Sequence, residues 1–163
     1  YLDVLHTASG YRGAGRGDLF TGLLNLERDL DERFIAESDI MAWLVSFAPA
    51  GIFDIMGIFK EKVRPAELEG AVLDELVEGI LTAINFIDSR NMFSYNMSLF
   101  FLPGEENFTP HLRLCPRVSI PPLDTCEINY MKMIHNEPMS TMKPEEVSAE
   151  LNTFWRNRGT SRG

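Results

Sequence analysis

The chain has 163 residues, 45% of them apolar, with a formal net charge of −9 at pH 7 and a pI near 4.8. That length suits one domain with a sizeable core. The charge argues against nucleic acid as a partner, because no basic stripe is present to neutralise phosphates. No apolar run is long enough to span a bilayer and no signal peptide is visible, so no membrane partner and a cytoplasmic setting are expected. The two cysteines, Cys115 and Cys126, make neither a disulfide framework nor a C-x-x-C metal site.

Residues 1–17 carry Gly10, Gly13, Gly15 and Gly17 without the spacing of a dinucleotide-binding fingerprint, and read as a flexible linker. Asp18 is a candidate N-cap. Leu19, Leu23, Leu26 and Leu30 follow at helical spacing and predict an amphipathic helix over 19–32. Arg33 to Glu37 allows a short strand. Met41 to Phe47 is almost wholly apolar, as in a strand covered on both faces. After the turn Pro49-Ala50-Gly51, Ile52 to Phe59 returns as its antiparallel partner. Pro65 opens a long helix over 65–89. Its apolar stripe contains Leu68, Val72, Leu76, Ile80, Ile84 and Ile87, so it must lie on a sheet. Val118 to Asp124, with Pro121-Pro122, reads as an irregular connector, and Ile128 to His135 as a further strand. Met142 to Arg156 reads as a closing helix with Pro144, Glu145 and Glu146 in its first turn, followed by a disordered tail over 157–163. Strands grouped with helices, without βαβ alternation, predict an α+β domain over 18–156 with helices packed on an antiparallel sheet.

The stretch from Tyr95 to Arg117 carries the most chemistry. It reads as two strands joined by Pro103-Gly104-Glu105-Glu106-Asn107. In the second strand Leu112 and Leu114 face one way, and Thr109, His111, Arg113 and Cys115 the other.

Tyr95-Asn-Met, the loop and then His111-x-Arg-x-Cys-Pro116-Arg117 resemble the second half of the galactose-1-phosphate uridylyltransferase family. Each subunit of that family is two fused histidine-triad-like domains. Trp43 to Pro49 followed by Gly51 resembles an early strand of that half. Met142 to Glu146 followed by Ala149-Glu-Leu151 is similar to its closing helix. The resemblance implies a histidine-triad-like fold and a nucleotidyltransferase as the parent protein. It also implies that the nucleophile lies elsewhere. The family's nucleophilic histidine belongs to a His-Pro-His in the first half, whereas this chain has Thr109-Pro110-His111. At the metal site of some second halves, Thr109 and Phe100 replace two of three histidines, so no metal and no cofactor are expected. Met131 or Met133 occupies the place of a glutamate that contacts the hexose.

His111 has two readings. In the first it is a satisfied histidine on a sheet face. In the second it is a nucleophile, and it then needs a hydrogen-bond acceptor on its other ring nitrogen to fix the tautomer. Arg113 cannot accept a hydrogen bond, but a backbone carbonyl can. Arg113 and Arg117 are candidate phosphate ligands, with Asn96 and Thr109 as further candidate binding residues. The alternative for the arginines is pairing with Glu105, Glu106 or Glu127. Trp43 and Trp155 read as packing anchors. The expected function is a non-catalytic second half that binds a nucleotide or sugar phosphate weakly by itself, transfers no nucleotidyl group, and associates as a homodimer or with an N-terminal sister domain. Two alternatives stand beside it: a small nucleotide hydrolase or transferase using His111, and a homodimeric interaction module.

Overall fold

The computed structural model describes residues 2–102, 104, 108–117, 119–120, 125–126 and 140–160. Among them are helices α1 (Leu2–Gly13), α2 (Leu19–Leu30), α3 (Gly70–Ser89) and α4 (Pro144–Thr160). Strands β1 (Phe34–Glu37), β2 (Met41–Val45), β3 (Ile55–Phe59), β4 (Ser94–Phe100) and β5 (His111–Arg117) form one sheet in the order β1-β2-β3-β5-β4. Every pairing in it is antiparallel. The architecture is therefore α+β, as the element pattern predicts. A separate ribbon pairs β6 (Ser119–Ile120) with β7 (Thr125–Cys126), within and just beyond the stretch expected as connector.

Every residue of β2 and β3 is buried, so both faces of the sheet must be covered. On one face Trp43, Val45, Ile55, Phe59, Leu112 and Leu114 meet Leu76, Ala83, Phe86 and Ile87 of α3, with Val147 and Leu151 of α4. On the other, Ala42, Leu44, Met56 and Ile58 meet Phe20 and Leu24 of α2, with Phe108. Pro116 is tolerated in β5 because the register with β3 has ended by then, at Ile55 opposite Leu114.

Trp43 pins the first layer. Its indole is buried against Trp155, with ring centroids 5.3 Å apart. A Cβ on Gly57 would lie 2.9 Å from the ring, and one on Gly79 only 2.1 Å away. The indole thus fills a slot that a strand and a helix leave open by carrying no side chain there. Arg33 ties the second layer to the first. It is buried and donates to Glu27 of α2 at 2.9 Å, to Glu32 at 2.9 Å and to Glu145 of α4 at 2.8 Å.

Four expectations are corrected. Residues 1–17 are not a loop throughout, because α1 occupies Leu2–Gly13. The glycine run is its stop signal. Gly15 has φ +73°, its N–H donates to the Arg12 carbonyl at 2.8 Å, and Arg16 N–H donates to Tyr11 at 3.3 Å. This is the paired bonding of a left-handed helix cap. The buried stripe of α2 is Phe20, Leu24 and Glu27, while Leu26 and Leu30 are about half exposed. The long helix begins at Gly70, not Pro65. Pro65–Glu67 is a separate 3-10 turn, and Gly70, with φ +52°, stands at the break. The closing helix runs from Pro144 to Thr160, so the expected tail is helical over its first four residues. Arg156, near its end, favours the extension by complementing the helix dipole. The strand expected over 128–135 lies outside the described residues.

Gly79→Ala tests the slot. At an ordinary helix position this change stabilises by about 1 kcal/mol. Here the new methyl collides with a rigid, enclosed ring, and a net loss of about 1–3 kcal/mol is expected. Urea denaturation measures it, and a stabilised variant would contradict the slot.

Candidate functional site

Strand β5 carries its polar residues on the face covered by α2. The register sets His111 opposite Phe100, Arg113 opposite Ser98, Cys115 opposite Asn96 and Arg117 opposite Ser94. The period of two read from the sequence is therefore the period in the sheet. These residues do not form one open row, because α2 covers the His111 end of it.

At the covered end, His111 is 1% exposed. Its ring lies among three phenylalanines, with centroid distances of 4.3 Å to Phe20, 5.1 Å to Phe100 and 5.3 Å to Phe108. Asp18 holds α2 in this place. Its carboxylate accepts from Thr21 N–H at 2.9 Å, as the predicted N-cap, and from the Thr109 hydroxyl at 2.9 Å. One side chain thus starts the helix and anchors that helix to the residue two before His111. Thr109 is itself buried, and its hydroxyl is committed to Asp18.

The His111 ring is neutral at physiological pH. Its Nδ1 is 2.9 Å from the Thr109 carbonyl oxygen. A carbonyl only accepts, so Nδ1 carries the proton and the lone pair resides on Nε2. Burial, with a smaller contribution from the Arg113 charge, pushes its pKa down to about 4, although the bond to Thr109 acts in the opposite direction. The tautomer-fixing acceptor that a nucleophile requires is thus supplied by the backbone. The access it requires is taken up by aromatic rings.

Arg113 is committed to a residue that sequence reasoning missed. It pairs with Asp54, which directly precedes β3 and is fully buried. Burial raises the Asp54 pKa, against the lowering effects of Arg113 and of Ala50 N–H, which approaches at 3.4 Å. The signal was an isolated carboxylate within the apolar run Ile52 to Phe59, which folding had to pair with a cation. The alternative partners Glu105, Glu106 and Glu127 lie outside the described residues. Cys115 donates from Sγ to the Phe53 carbonyl at 3.2 Å. Arg117 is half-buried and Asn96 exposed, both beyond the part of the face that α2 covers. The structure therefore does not bring His111, Arg113 and Arg117 into one open pocket. Among the described residues no three His, Cys, Asp or Glu side chains gather as a metal-ligand set, and no helix is long and apolar enough to cross a membrane.

Stability should report the buried imidazole. An unfolded histidine titrates near 6.5 and the folded one near 4. Between these values the unfolded chain binds more protons, so the stabilising contribution is complete above 6.5 and is lost as pH falls towards 4. The loss amounts to about 3 kcal/mol across that window. Asp54 titrates with the opposite sign, so the informative comparison is with His111→Phe, which retains Asp54. Denaturant midpoints measured across this range should fall more steeply for the wild type than for the variant; parallel curves would contradict a buried neutral imidazole.

No family model matches the chain. A protein of Archaeoglobus fulgidus described as uncharacterized is 27% identical over 125 residues, which cover 76% of this chain and 38% of that protein. A uridylyltransferase mutant superposes with a TM-score of 0.76 at 13% identity, covering 95% of this chain and 52% of its own. A Hit-like protein of Bartonella henselae superposes with a TM-score of 0.57 at 13% identity, covering 84% of this chain and 95% of its own. The chain thus spans about half of the uridylyltransferase chain and less of its sequence relative. The five-stranded antiparallel sheet and its helices have the histidine-triad-like fold, in the form shared with one half of a uridylyltransferase chain.

Proposed function

We propose that this chain acts as the non-catalytic second half of a galactose-1-phosphate uridylyltransferase-like protein. Its work is to support assembly and to complete a sugar-phosphate site when joined to a catalytic half. The observation that carries this reading is the enclosure of His111 at 1% exposure. Nucleotidyl transfer requires a histidine to reach phosphorus in line, with fixed positive charge at the phosphate oxygens. Here the imidazole lies behind Phe20 and Phe108, and the nearest guanidinium, that of Arg113, is bound to Asp54. A phosphate could approach only by displacing α2, which Asp18 ties to Thr109. Arg117 and Asn96, beyond the part of the face that α2 covers, are the candidate groups left to meet a ligand phosphate in the assembled protein.

The β4 edge is the surface for assembly. It is the last strand of the sheet, and Tyr95 and Met97 on it are 37% and 46% exposed, beside Phe93 at 77%. Among the described residues no segment pairs with its outer side, and an edge with exposed apolar side chains favours strand pairing with another sheet. The occupant under this reading is a sister domain of the same fold or, in its absence, a second copy.

Two measurements test the reading. Incubation with radiolabelled nucleotide sugars should leave no acid-labile nucleotidyl-protein. An adduct lost in His111→Gly would overturn the reading in favour of a small enzyme. Sedimentation should show association at high concentration, weakened in Met97→Glu, whose charge sits on the exposed edge. A monomer at every concentration that also ignores a sister domain would remove the assembly role.

A further inference from the structure

We propose that the hollow between the end of α3 and α4 is a binding site for a small carboxylate with an aromatic or branched apolar body, gripped by Arg90. The hollow lies in the α3/α4 layer, on the opposite side of the sheet from His111. Its volume is about 410 Å³, and Phe86, Arg90, Glu150, Thr153, Phe154 and Asn157 line it. That volume falls within the range of small-molecule sites, about 300–1,000 Å³. Phe86 and Phe154 meet edge to face, with centroids 5.8 Å apart, and present the apolar wall. The hydroxyl of Thr153 and the amide of Asn157 stand beside it.

Arg90 is the anchor. Its guanidinium lies over the Phe86 ring, 5.1 Å from the centroid, and its side chain is 18% exposed. Among the described residues the Nη1 group donates to the weak acceptor Met142 Sδ, at 3.5 Å. Nη2 meets the carboxylate of Glu150, a side chain 57% exposed. Nε is buried and has no hydrogen-bond partner among the described residues. Nε and Nη2 form the side-on fork that a carboxylate grips with two parallel bonds. Glu150 meets one prong of it, and the other is left unmet at a desolvation cost.

A ligand carboxylate would fill both prongs while Glu150 swings into water, where an exposed carboxylate is readily solvated. Glu150 is in this sense a tethered occupant of half the site. Its own pairing with Arg90 is weak, because exposed ion pairs contribute little. The apolar body of the ligand would pack on Phe154, beside the buried Phe86 ring that Arg90 covers, and this selects an aryl or branched carboxylate over acetate. The site is independent of the assembly reading, since it uses neither β4 nor the α2 face.

The test is an NMR titration of the isotopically labelled chain with benzoate, with benzamide as the neutral isostere. Saturable shifts of the Arg90 Nε–H and of the Thr153 and Asn157 signals are expected with benzoate, and weaker ones with benzamide. Arg90→Gln should weaken benzoate by about tenfold or more, the loss of a charged fork. Glu150→Gln should tighten it severalfold by removing the competitor, and Thr153→Phe should obstruct it. Both of these positions are exposed, so the test stands even if Arg90→Gln fails to fold. Benzamide binding as well as benzoate, the absence of saturable shifts, or weakening in Glu150→Gln would overturn the proposal.

Discussion

The structure depends on a sheet whose central strands have no wet face. All ten residues of β2 and β3 are buried, so an apolar layer is required on each side. The long helix α3 and the closing helix α4 cover one side, keyed by the Trp43 indole in its slot between Gly57 and Gly79. The other side falls to α2, twelve residues long. Phe20 and Leu24 must reach Met56 and Ile58, and that requirement places Phe20 over β5 at His111.

The chemistry of the candidate site follows from this covering. In an open cleft, an imidazole whose Nδ1 proton is held by a carbonyl would be well prepared to attack. Under three phenylalanines the same imidazole is a core group, and the cost of charging it there moves its pKa down to about 4. Arg113 has undergone a parallel change of role. Its charge neutralises Asp54, a carboxylate that the covered sheet encloses. Breaking that pair by removing Arg113 would strand a buried charge, at a cost of about 3–5 kcal/mol. Two of the residues that suggest phosphate chemistry in the sequence, His111 and Arg113, are thus required by the packing.

Much of this was legible in the sequence. Asp18 announced the start of α2, the alternation along 111–115 gave the correct faces of β5, and the order of motifs gave the histidine-triad-like fold. The face of α2 was misread because two stripes compete at helical spacing. Leu19, Leu23, Leu26 and Leu30 look the more apolar, while the buried stripe contains Glu27. Arg33, just before β1, makes burial of Glu27 tolerable, and that partnership is tertiary. The Asp54–Arg113 pair was hidden for the same reason, since it exists only once β3 and β5 are neighbours. The glycines after α1 were legible but ambiguous. A helix stop and a flexible linker use the same residues, and only the left-handed turn at Gly15 tells them apart.

The central claim is that His111 is a buried, neutral packing residue with its proton on Nδ1. Nitrogen NMR of the histidine ring during a pH titration tests this most directly, since it reports the tautomer and the pKa from the same signals. The account predicts an Nδ1–H imidazole that stays neutral through pH 5 and gains its second proton only near 4. An imidazole that exchanges tautomers in water and titrates close to 6.5 would contradict it.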